Sequence, residues 1–501
     1  MSKAAKKDIY IISFLLVLSV IVQVYFLNPP ILSDPLEYYN VSVRFPHLPV
    51  WPNHWSLRIG LILPVAILFR IFGHAEITYY FVPIFSSALL IISVYLLGKK
   101  MFSRTTGLIS AMWMMFIPGM LIESGQLLPD GLATACSVLG FVFLISGDHH
   151  RNKKWMMLIA GALFGWSYLS KEYFVILYLL VPIVFWIYRI PLKLLFPFSI
   201  GFLIVIGLDF SINLINYGNP LVRFMTTNPR EIWGYIEKNV FQIFTYLPML
   251  VNRMGGEGTA ILFGVAAIGL VSFIVKKQKK YMLLVYWVAL VYCFYTAMGL
   301  LPVILSWDDR VILRLHLYRY WIPIFPPLII TGVYTTQQGI LLLFRKIKVN
   351  PKQVKKFTNI VLLSMLLFTS IRGVNGIKNS GKLMRNGNDH YLELRDFLRE
   401  NDDPEQVIWI VRNLKIGYVR VLPIYIHDYW GKRIWHGKFK YLNTDGQFVQ
   451  SNEINEGLVI IDRFFFNPDY NRIPEYLAVQ PADWDLIFES ENKQIALYSV
   501  E

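Results

Sequence analysis

The chain has 501 residues, of which 55% are hydrophobic and only 16% are charged. Soluble proteins carry about 25% charged residues, so this composition, with a mean hydropathy of +0.46, excludes an ordinary water-soluble enzyme. The 48 Lys and Arg outnumber the 33 Asp and Glu, giving a net charge of +15 whose position along the chain decides its meaning. Cys136 and Cys293 both lie in apolar runs, which excludes a disulfide framework and a cysteine metal site.

Apolar runs long enough to cross a bilayer recur along the chain. A hydrocarbon core of about 30 Å requires roughly 20 apolar residues in a helix, because unpaired backbone polar groups are costly in lipid. Lys3, Lys6 and Lys7 precede the first run, but no small-residue cleavage site follows it, so we expect a retained helix and not a signal peptide. The sequence predicts eleven spans, at 9–27, 76–97, 106–122, 131–147, 155–170, 173–188, 194–216, 259–275, 281–299, 320–344 and 357–371.

The distribution of Lys and Arg predicts the orientation, because short loops rich in them stay in the cytoplasm. With the N-terminus inside, the cytoplasmic segments contain 21 basic and two acidic residues, whereas the opposite segments before residue 372 contain 11 of each. The pattern predicts an N-in, C-out topology. The positive charge is therefore a topology signal and gives no support to a nucleic-acid partner. The content of Lys, Ile and Asn is compatible with a bacterial plasma (inner) membrane.

Two regions depart from the spanning pattern. Residues 57–72, LRIGLILPVAILFRIF, would invert every later loop if they crossed the membrane, so we expect an interfacial or re-entrant outer helix flanked by Arg58 and Arg70. After residue 372 the chain becomes polar, with a helix-like YLELRDFLRE and the β-rich runs VIWIVRN, YVRVLPIYI, VIIDRFFF and IALYSV. We therefore expect a polytopic all-α membrane domain over 1–372, with a first outer loop at 28–75, and a small extracytoplasmic α/β domain over 385–501.

Ionisable residues gather in the segments predicted to lie outside. An acid or base at a membrane boundary is a functional candidate, because such groups are costly there. The candidates are Asp34, Glu37, His54 and Arg58 in the first outer loop, Glu123 and Asp130 in the second, Lys171 and Glu172 in LSKEYF, and Asp308, Asp309, Arg310, Arg314, His316, Arg319 and Tyr320 in SWDDRVILRLHLYRYWIP.

Structural explanations compete with catalytic ones at these positions. Asp34-Pro35-Leu36-Glu37 is also a good capping box, with an acid at the N-cap, Pro at N1 and Glu at N3. Asp130 also fits the N-cap of the fourth span. Lys171 and Arg319 also fit side chains that extend to the outer head groups. These alternatives stay open for each residue considered alone.

In combination, acids in the first two outer loops and cations at the outer ends of later helices resemble the GT-C superfamily of membrane glycosyltransferases. Within it, the pattern resembles the protein O-mannosyltransferase and aminoarabinose-transferase-like group. The resemblance covers residues 1 to about 345 and is carried by SDPLEYY, LLPDGLATACSVLGFVFL, SKEY and LYRYWIPIFPPLI. One departure is that many members have adjacent acids after the first helix, whereas Asp34 is followed here by Pro35.

The resemblance implies transfer of a sugar from a polyprenyl-phosphate carrier to an acceptor hydroxyl on the outer face of the membrane. It implies that Asp34 is the base or orients the acceptor, with Asp130 as a second acid. Lys171 and Arg319 are the candidates for the carrier phosphate. Weaker site candidates are Arg58 and His54 for the same phosphate, with Glu37 and Tyr320 as additional residues. Outer acids and a histidine also suit a divalent cation, but Lys and Arg suffice for the leaving group, so no cofactor is assigned.

Other functions that a similar membrane domain could serve stay open. A transporter or flippase of lipid-linked sugars would need broken helices in repeated halves, yet Asp209 is the single acid inside a span and no duplicated half is apparent. A scaffold anchored by its helices would not need Asp34 or Asp130. An oligosaccharyltransferase or polymerase would differ in its acceptor, and the sequence leaves open whether the acceptor is a glycan, a lipid or a protein.

Overall fold

The computed structural model describes residues 3–27, 34–123, 125–146, 152–226, 236–237, 256–304, 311–312, 318–345, 350–384, 389–411, 424, 426–442, 456–462, 484–491, 493 and 495–500. Contacts within the chain divide it into two units. The first unit comprises Met1–Leu27, Pro46–Leu61 and Pro83–Ile377. The second comprises Asn28–Phe45, Ile62–Val82 and Lys378–Glu501.

Helices account for nearly all of the regular structure before residue 385, as the apolar runs predict. In chain order they are α1 (Lys3–Tyr25), α2 (Asp34–Arg44), α3 (Ile59–Phe72), α4 (Glu76–Met101), α5 (Arg104–Phe116), α6 (Pro118–Glu123), α7 (Pro129–Ser146), α8 (Lys153–Ser170), α9 (Leu180–Ile187), α10 (Leu195–Tyr217), α11 (Val222–Thr226), α12 (Gly256–Val275), α13 (Met282–Ile304), α14 (Phe325–Arg345) and α15 (Pro351–Met384). Tight 3₁₀ turns occupy Glu172–Leu179, Leu192–Leu194, Lys279–Tyr281 and Tyr318–Ile324.

Among the described residues, six helical stretches are long and apolar enough to cross a membrane. They are Ala5–Tyr25, Glu76–Met101, Pro129–Ser146, Leu192–Tyr217, Lys279–Ala297 and Arg319–Phe344. Shorter apolar helices cover Ile59–Phe72, Glu172–Ile187, Thr259–Val275 and Lys356–Ile371. The predicted polytopic all-α membrane fold is confirmed, while the count of eleven spans is supported only in part.

Two of these helical segments differ in shape from a straight span. α3 has 14 residues and is therefore about 21 Å long, too short for a perpendicular crossing, which agrees with the predicted interfacial or re-entrant helix. The span predicted at 106–122 is divided into α5 and α6, because Ile117 adopts an extended backbone and Pro118 begins the next helix.

Close helix packing fixes the middle of the first unit. Ser137 of α7 and Ser167 of α8 share a hydrogen bond of 2.7 Å, and the Ser167 hydroxyl also donates to the carbonyl of Ala133. Gly161 of α8 and Gly201 of α10 bring the backbones of those helices together, since a Cβ atom on either glycine would collide with a carbonyl of the other helix. These contacts place the N-terminal end of α7 beside the C-terminal end of α8.

The second unit contains a mixed five-stranded sheet. Its strands are β3 (Val407–Val411), β4 (Lys438–Leu442), β5 (Gly457–Asp462), β6 (Trp484–Glu489) and β7 (Ile495–Val500), after a two-residue ladder in the first unit between β1 (Ile236–Glu237) and β2 (Val311–Ile312). The order is β4-β3-β5-β7-β6, with β4, β3 and β5 parallel and the pairs β5/β7 and β7/β6 antiparallel. Helix α16 (Asp389–Glu400) accompanies the sheet, and its Phe397 ring lies 4.8 Å from that of Phe488.

The C-terminal secondary structure follows the sequence pattern wherever it is described. The runs VIWIV, VIID and IALYSV form strands, and YLELRDFLRE lies in α16. Most of YVRVLPIYI and the end of VIIDRFFF lie outside the described residues. The boundaries 1–372 and 385–501 stay predictions, since the second unit also contains segments 28–45 and 62–82.

Candidate functional site

A buried ion pair between Asp130 and Lys171 forms the centre of the site in the first unit. The Lys171 Nζ donates to Asp130 Oδ1, and the side chains are 2% and 3% exposed for Lys171 and Asp130 respectively. Asp130 lies in the first turn of α7, and Lys171 follows α8 directly with an extended backbone (φ −156°, ψ 119°). The packing of α7 on α8 therefore brings together two charges that are 41 positions apart in the sequence.

Tyr320 joins this pair to a second cation. The Lys171 Nζ lies 4.2 Å from the Tyr320 ring centroid, and the Arg319 guanidinium carbon lies 5.8 Å from the same centroid. Arg319 and Tyr320 both belong to the 3₁₀ turn Tyr318–Ile324. The electron-rich face of the ring attracts nearby cations, so Tyr320 helps to hold positive charge here. Of the predicted site residues, the structure thus brings together Asp130, Lys171, Arg319 and Tyr320.

Arg58 forms a second ion pair beside this cluster. Its NH2 lies 3.7 Å from Glu172 Oε1, and the two side chains are 9% and 17% exposed. Glu172 follows Lys171 directly in the chain. Lys171 and Arg58 therefore lie near the end of α8, where each is partly neutralised by an acid. Arg319 lies beside Tyr320.

A pocket opens beside Asp130. Its cavity volume is about 20 Å³, and its lining consists of Pro83, Ser86, Ser87, Met120, Gln126, Leu128, Asp130, Gly131 and Ile322. The Asp130 Oδ2 is buried and has no hydrogen-bond partner among the described residues. A buried polar atom without a partner is costly, and such atoms often face a ligand or water.

Asp34 and Glu37 lie in the second unit, in the first turn of α2. The helix starts at Asp34, so Asp34 is its first helical residue and not the N-cap that the predicted capping box assigned to it. Further along α2, the Tyr39 hydroxyl and His74 Nδ1 are 3.1 Å apart. Burial raises the pKa of Tyr39 and lowers the pKa of His74, and the neighbouring His427 lowers that of His74 further. Both side chains are therefore neutral near pH 7.

Several expectations need correction. Asp130 is the second residue of α7 and not its N-cap, and its carboxylate pairs with Lys171. Lys171 is 1% exposed, so it does not extend to the head groups. His54 is exposed, and its ring lies 4.1 Å from that of Trp55.

Part of the predicted site lies outside the described residues. This applies to Asp308, Asp309, Arg310, Arg314 and His316, and to the side chain of Glu123.

The partner of Asp209 was not predicted from the sequence. Arg223 donates from Nε to Asp209 Oδ2 at 3.1 Å and from NH2 to Oδ1 at 2.8 Å. The same guanidinium donates to the carbonyls of Leu57 and Tyr168. The pair is therefore a structural junction of α8, α10 and α11 with the segment before α3. Arg223 lies 14 positions after Asp209 and in a different helix, so the periodicity of α10 does not predict the pair.

Ser86, Ser87 and Gln126 in the pocket lining were also not predicted from the sequence. The signal was present, because the two serines interrupt the apolar run IFSSALL.

The predicted divalent cation stays a prediction. Among the described residues, no group of three or more His, Cys, Asp or Glu side chains is arranged to hold a metal ion. No chemical step is therefore assigned to a metal ion.

One family model matches part of the chain. Residues 62–212 match the family model described as dolichyl-phosphate-mannose-protein mannosyltransferase. This segment contains Asp130 and Lys171. No curated protein matches the chain.

Solved structures similar to the chain include ArnT from Cupriavidus metallidurans. Its apo state has 11% sequence identity and a TM-score of 0.57, covering 99% of this chain and 98% of ArnT. ArnT bound to undecaprenyl phosphate has 11% identity and a TM-score of 0.56, covering 97% of each chain. The oligosaccharyltransferase AglB from Archaeoglobus fulgidus has 13% identity and a TM-score of 0.48, covering all of this chain and 75% of AglB. The chain has the fold of ArnT, and the predicted resemblance to GT-C glycosyltransferases is confirmed.

Proposed function

We propose that the protein is a membrane glycosyltransferase that moves a sugar from a polyprenyl-phosphate carrier to an acceptor hydroxyl. The observation that carries this proposal is a whole-chain fold shared with ArnT, a protein solved with undecaprenyl phosphate bound. The match of residues 62–212 to a mannosyltransferase family supports the same reaction class. A donor with a lipid tail reaches such a site sideways from the bilayer, and a body of apolar helices suits that route.

The local geometry supports a role in holding a phosphate. Arg319 presents a planar guanidinium beside Tyr320, and such a fork suits two phosphate oxygens at once. Lys171 adds a positive charge at the same ring, although Asp130 holds its Nζ. We assign the carrier phosphate to Arg319 and Lys171, with Arg58 as a third cation. These charges stabilise the leaving phosphate as it separates from the sugar.

The reaction requires one proton transfer. The acceptor hydroxyl oxygen forms a bond to the anomeric carbon, and the bond from that carbon to the phosphate oxygen breaks with its electron pair going to the phosphate. We assign the hydroxyl proton to the Asp34 carboxylate, with Glu37 in the same helical turn as an additional acid. Asp130 is proposed to hold Lys171 and to contact the substrate.

The proposed side of the reaction is the outer face of the plasma membrane. The supporting observation is the concentration of Lys and Arg in the segments opposite to those that carry Asp34, Asp130, Lys171 and Arg319. This topology places α16 and the five-stranded sheet outside the cytoplasm. Nucleotide sugars are absent there, so a lipid-linked donor fits.

The experiment is a donor panel with the purified full-length protein in lipid nanodiscs. Each polyprenyl-phosphate sugar is supplied with candidate glycan, lipid and peptide acceptors, and release of the carrier phosphate is followed. We expect release from at least one lipid-linked donor and none from nucleotide sugars. Release from nucleotide sugars alone would overturn the proposal, as would transport of an intact lipid-linked sugar across the bilayer without carrier release.

A further inference from the structure

A loop of the C-terminal region, residues 428–432, lies at the end of a helix that can cross the membrane. α4 contains an uncharged, mostly apolar stretch of 21 residues at 77–97. Such a helical stretch is roughly 31 Å long, which matches a hydrocarbon core of about 30 Å and places Ile77 at the membrane boundary. The backbone N–H of Ile77 donates a hydrogen bond of 3.2 Å to the carbonyl of Tyr429. The loop therefore meets α4 at the level where this helix enters the lipid.

The same loop also contacts the end of α3. Gly431 has a φ of +94°, and a Cβ atom on it would collide with the carbonyl oxygen of Phe72. Glycine alone permits so close a backbone approach at this φ. The Trp430 ring lies 6.1 Å from the Phe72 ring. α3 is apolar and too short for a perpendicular crossing, so the loop joins a helix that enters the membrane to a helix suited to the membrane surface.

Hydrogen bonds within the loop hold its backbone in a formed turn. The Asp428 Oδ1 accepts from the backbone N–H of Trp430 at 2.9 Å and from that of Lys432 at 2.8 Å. The Asp428 N–H donates to the Lys432 carbonyl at 2.7 Å. The turn therefore presents its side chains in a fixed arrangement, which reduces the conformational entropy lost when they bind a partner.

The loop and the last turn of α3 expose aromatic, aliphatic and basic side chains. Trp430 is 63% exposed, Tyr429 is 41% exposed, and Ile71 of α3 is 65% exposed. Lys432 and Arg70 are exposed as well. Tryptophan and tyrosine are enriched at the membrane–water interface, because their rings combine an apolar body with a polar group. Lysine and arginine at this level extend their charges to the lipid head groups.

Two acidic side chains beside this surface are already paired. Glu76 is 8% exposed, and its Oε1 accepts from Arg399 NH2 at 2.7 Å. The Asp428 carboxylate is engaged by the N–H groups of its own loop. The exposed charges that remain on the loop and on the last turn of α3 are those of Lys432 and Arg70, which are positive. The surface is therefore complementary to lipid phosphates.

We infer that residues 428–432 bind the head-group region of the bilayer, with the Trp430 ring among the head groups and the Lys432 ammonium at lipid phosphates. The partner is the membrane surface beside α4, and the loop ties this part of the second unit to it. A second copy of the chain would also cover the apolar side chains, but the position at the end of α4 and the positive charge favour lipid. The inference does not depend on sugar transfer.

Spin labels test this inference on the full chain in nanodiscs that contain anionic lipid. The backbone of the loop contacts α3 and α4, so Trp430→Cys and Lys432→Cys should leave the loop in place. Cys293→Ser removes the exposed native cysteine, whereas Cys136 is buried. Asp485→Cys is the control, because it is exposed on β6, at the opposite edge of the sheet from β4, the strand that follows the loop.

Oxygen, which concentrates in lipid, and a water-soluble nickel chelate report the surroundings of each label. We expect a several-fold higher ratio of oxygen accessibility to nickel accessibility at position 430 than at position 485, with an intermediate ratio at position 432. A ratio at 430 equal to that at 485 would place the loop in water and overturn the inference. Protection of the label at 430 from both reagents would place it against protein, such as a second copy of the chain, and would also contradict lipid binding.

Discussion

Lys171 and Asp130 neutralise one another in a site that is almost closed to water, with their side chains 2% and 3% exposed. Either charge, buried alone at this depth, would be costly, so each side chain requires the other as its counter-ion. Its position between the ends of α7 and α8, against the Tyr320 ring, makes it both a structural contact and the boundary of the pocket.

Removing one member of this pair should destabilise the protein more than removing both. We expect Lys171→Met or Asp130→Asn alone to cost about 3–5 kcal/mol, because each leaves an unbalanced buried partner. The double variant should cost clearly less than the sum. Thermal unfolding of the purified variants measures the coupling, with the exposed Lys193→Met as control. Additive losses would show that the two charges do not depend on one another.

Arg319 should determine affinity for the bare carrier. A lost hydrogen bond to a charged group costs about 1.5–3 kcal/mol, so Arg319→Ala should weaken binding of polyprenyl phosphate by roughly ten-fold to a hundred-fold. Arg319→Lys should recover only part of this, since an ammonium lacks the planar fork. The exposed Arg189→Ala is a charge-matched control. Unchanged affinity in Arg319→Ala would place the phosphate site elsewhere.

The crossing of α8 and α10 should tolerate no side chain at its glycines. A Cβ atom on Gly161 would collide with the Phe198 carbonyl, and one on Gly201 with the Leu158 carbonyl. Both obstacles are backbone, so Gly161→Val and Gly201→Val should force the helices apart and lower the yield of folded protein. Size-exclusion profiles and thermal midpoints provide the measurement, and Gly207→Val should behave like the wild type. Normal folding of both variants would contradict this packing.

His390 should make stability depend on pH. It is fully buried in α16, and burial lowers its pKa from 6.5 to about 4. The unfolded chain therefore binds a proton between these values that the folded chain does not, so stability is complete above about pH 6.5 and falls as the pH drops toward 4. The expected loss between pH 8 and pH 5 is about 2 kcal/mol.

A His390→Leu variant tests this assignment, since it cannot take up the proton. Its thermal midpoint should change less between pH 8 and pH 5 than that of the wild type. The same acid-induced loss in both proteins would assign the effect to other groups.

The sequence predicts the apolar helices well because hydropathy is a local property. α3, for example, is recognisable from LRIGLILPVAILFRIF and the charge of its neighbours. The partners of buried charges are a different matter. Asp130 and Lys171 were both predicted as site residues, but their contact depends on how α7 packs on α8. Arg223 was not predicted as the partner of Asp209, because the two residues come together only where the chain leaves α10 and turns back in α11.

The pocket lining was also beyond sequence analysis, for a related reason. Ser86 and Ser87 come from α4, Gln126 and Asp130 from around the start of α7, and Ile322 from the 3₁₀ turn Tyr318–Ile324. No periodicity links these segments. Two adjacent serines in an apolar helix were visible as an irregularity, yet only the fold shows that they share a pocket with a carboxylate.

Sugar transfer itself is tested most directly by counting both products of one reaction. The wild-type chain, Asp34→Asn and the neighbouring Glu37→Gln are each given a polyprenyl-phosphate sugar and the acceptor found in the donor panel, and the released carrier phosphate and the glycosylated acceptor are quantified together. We expect equal amounts of the two products from the wild type, roughly a hundred-fold loss of both in a folded Asp34→Asn, and a smaller loss in Glu37→Gln. Carrier release without glycosylated acceptor, or wild-type rates in Asp34→Asn, would contradict transfer with Asp34 as the base.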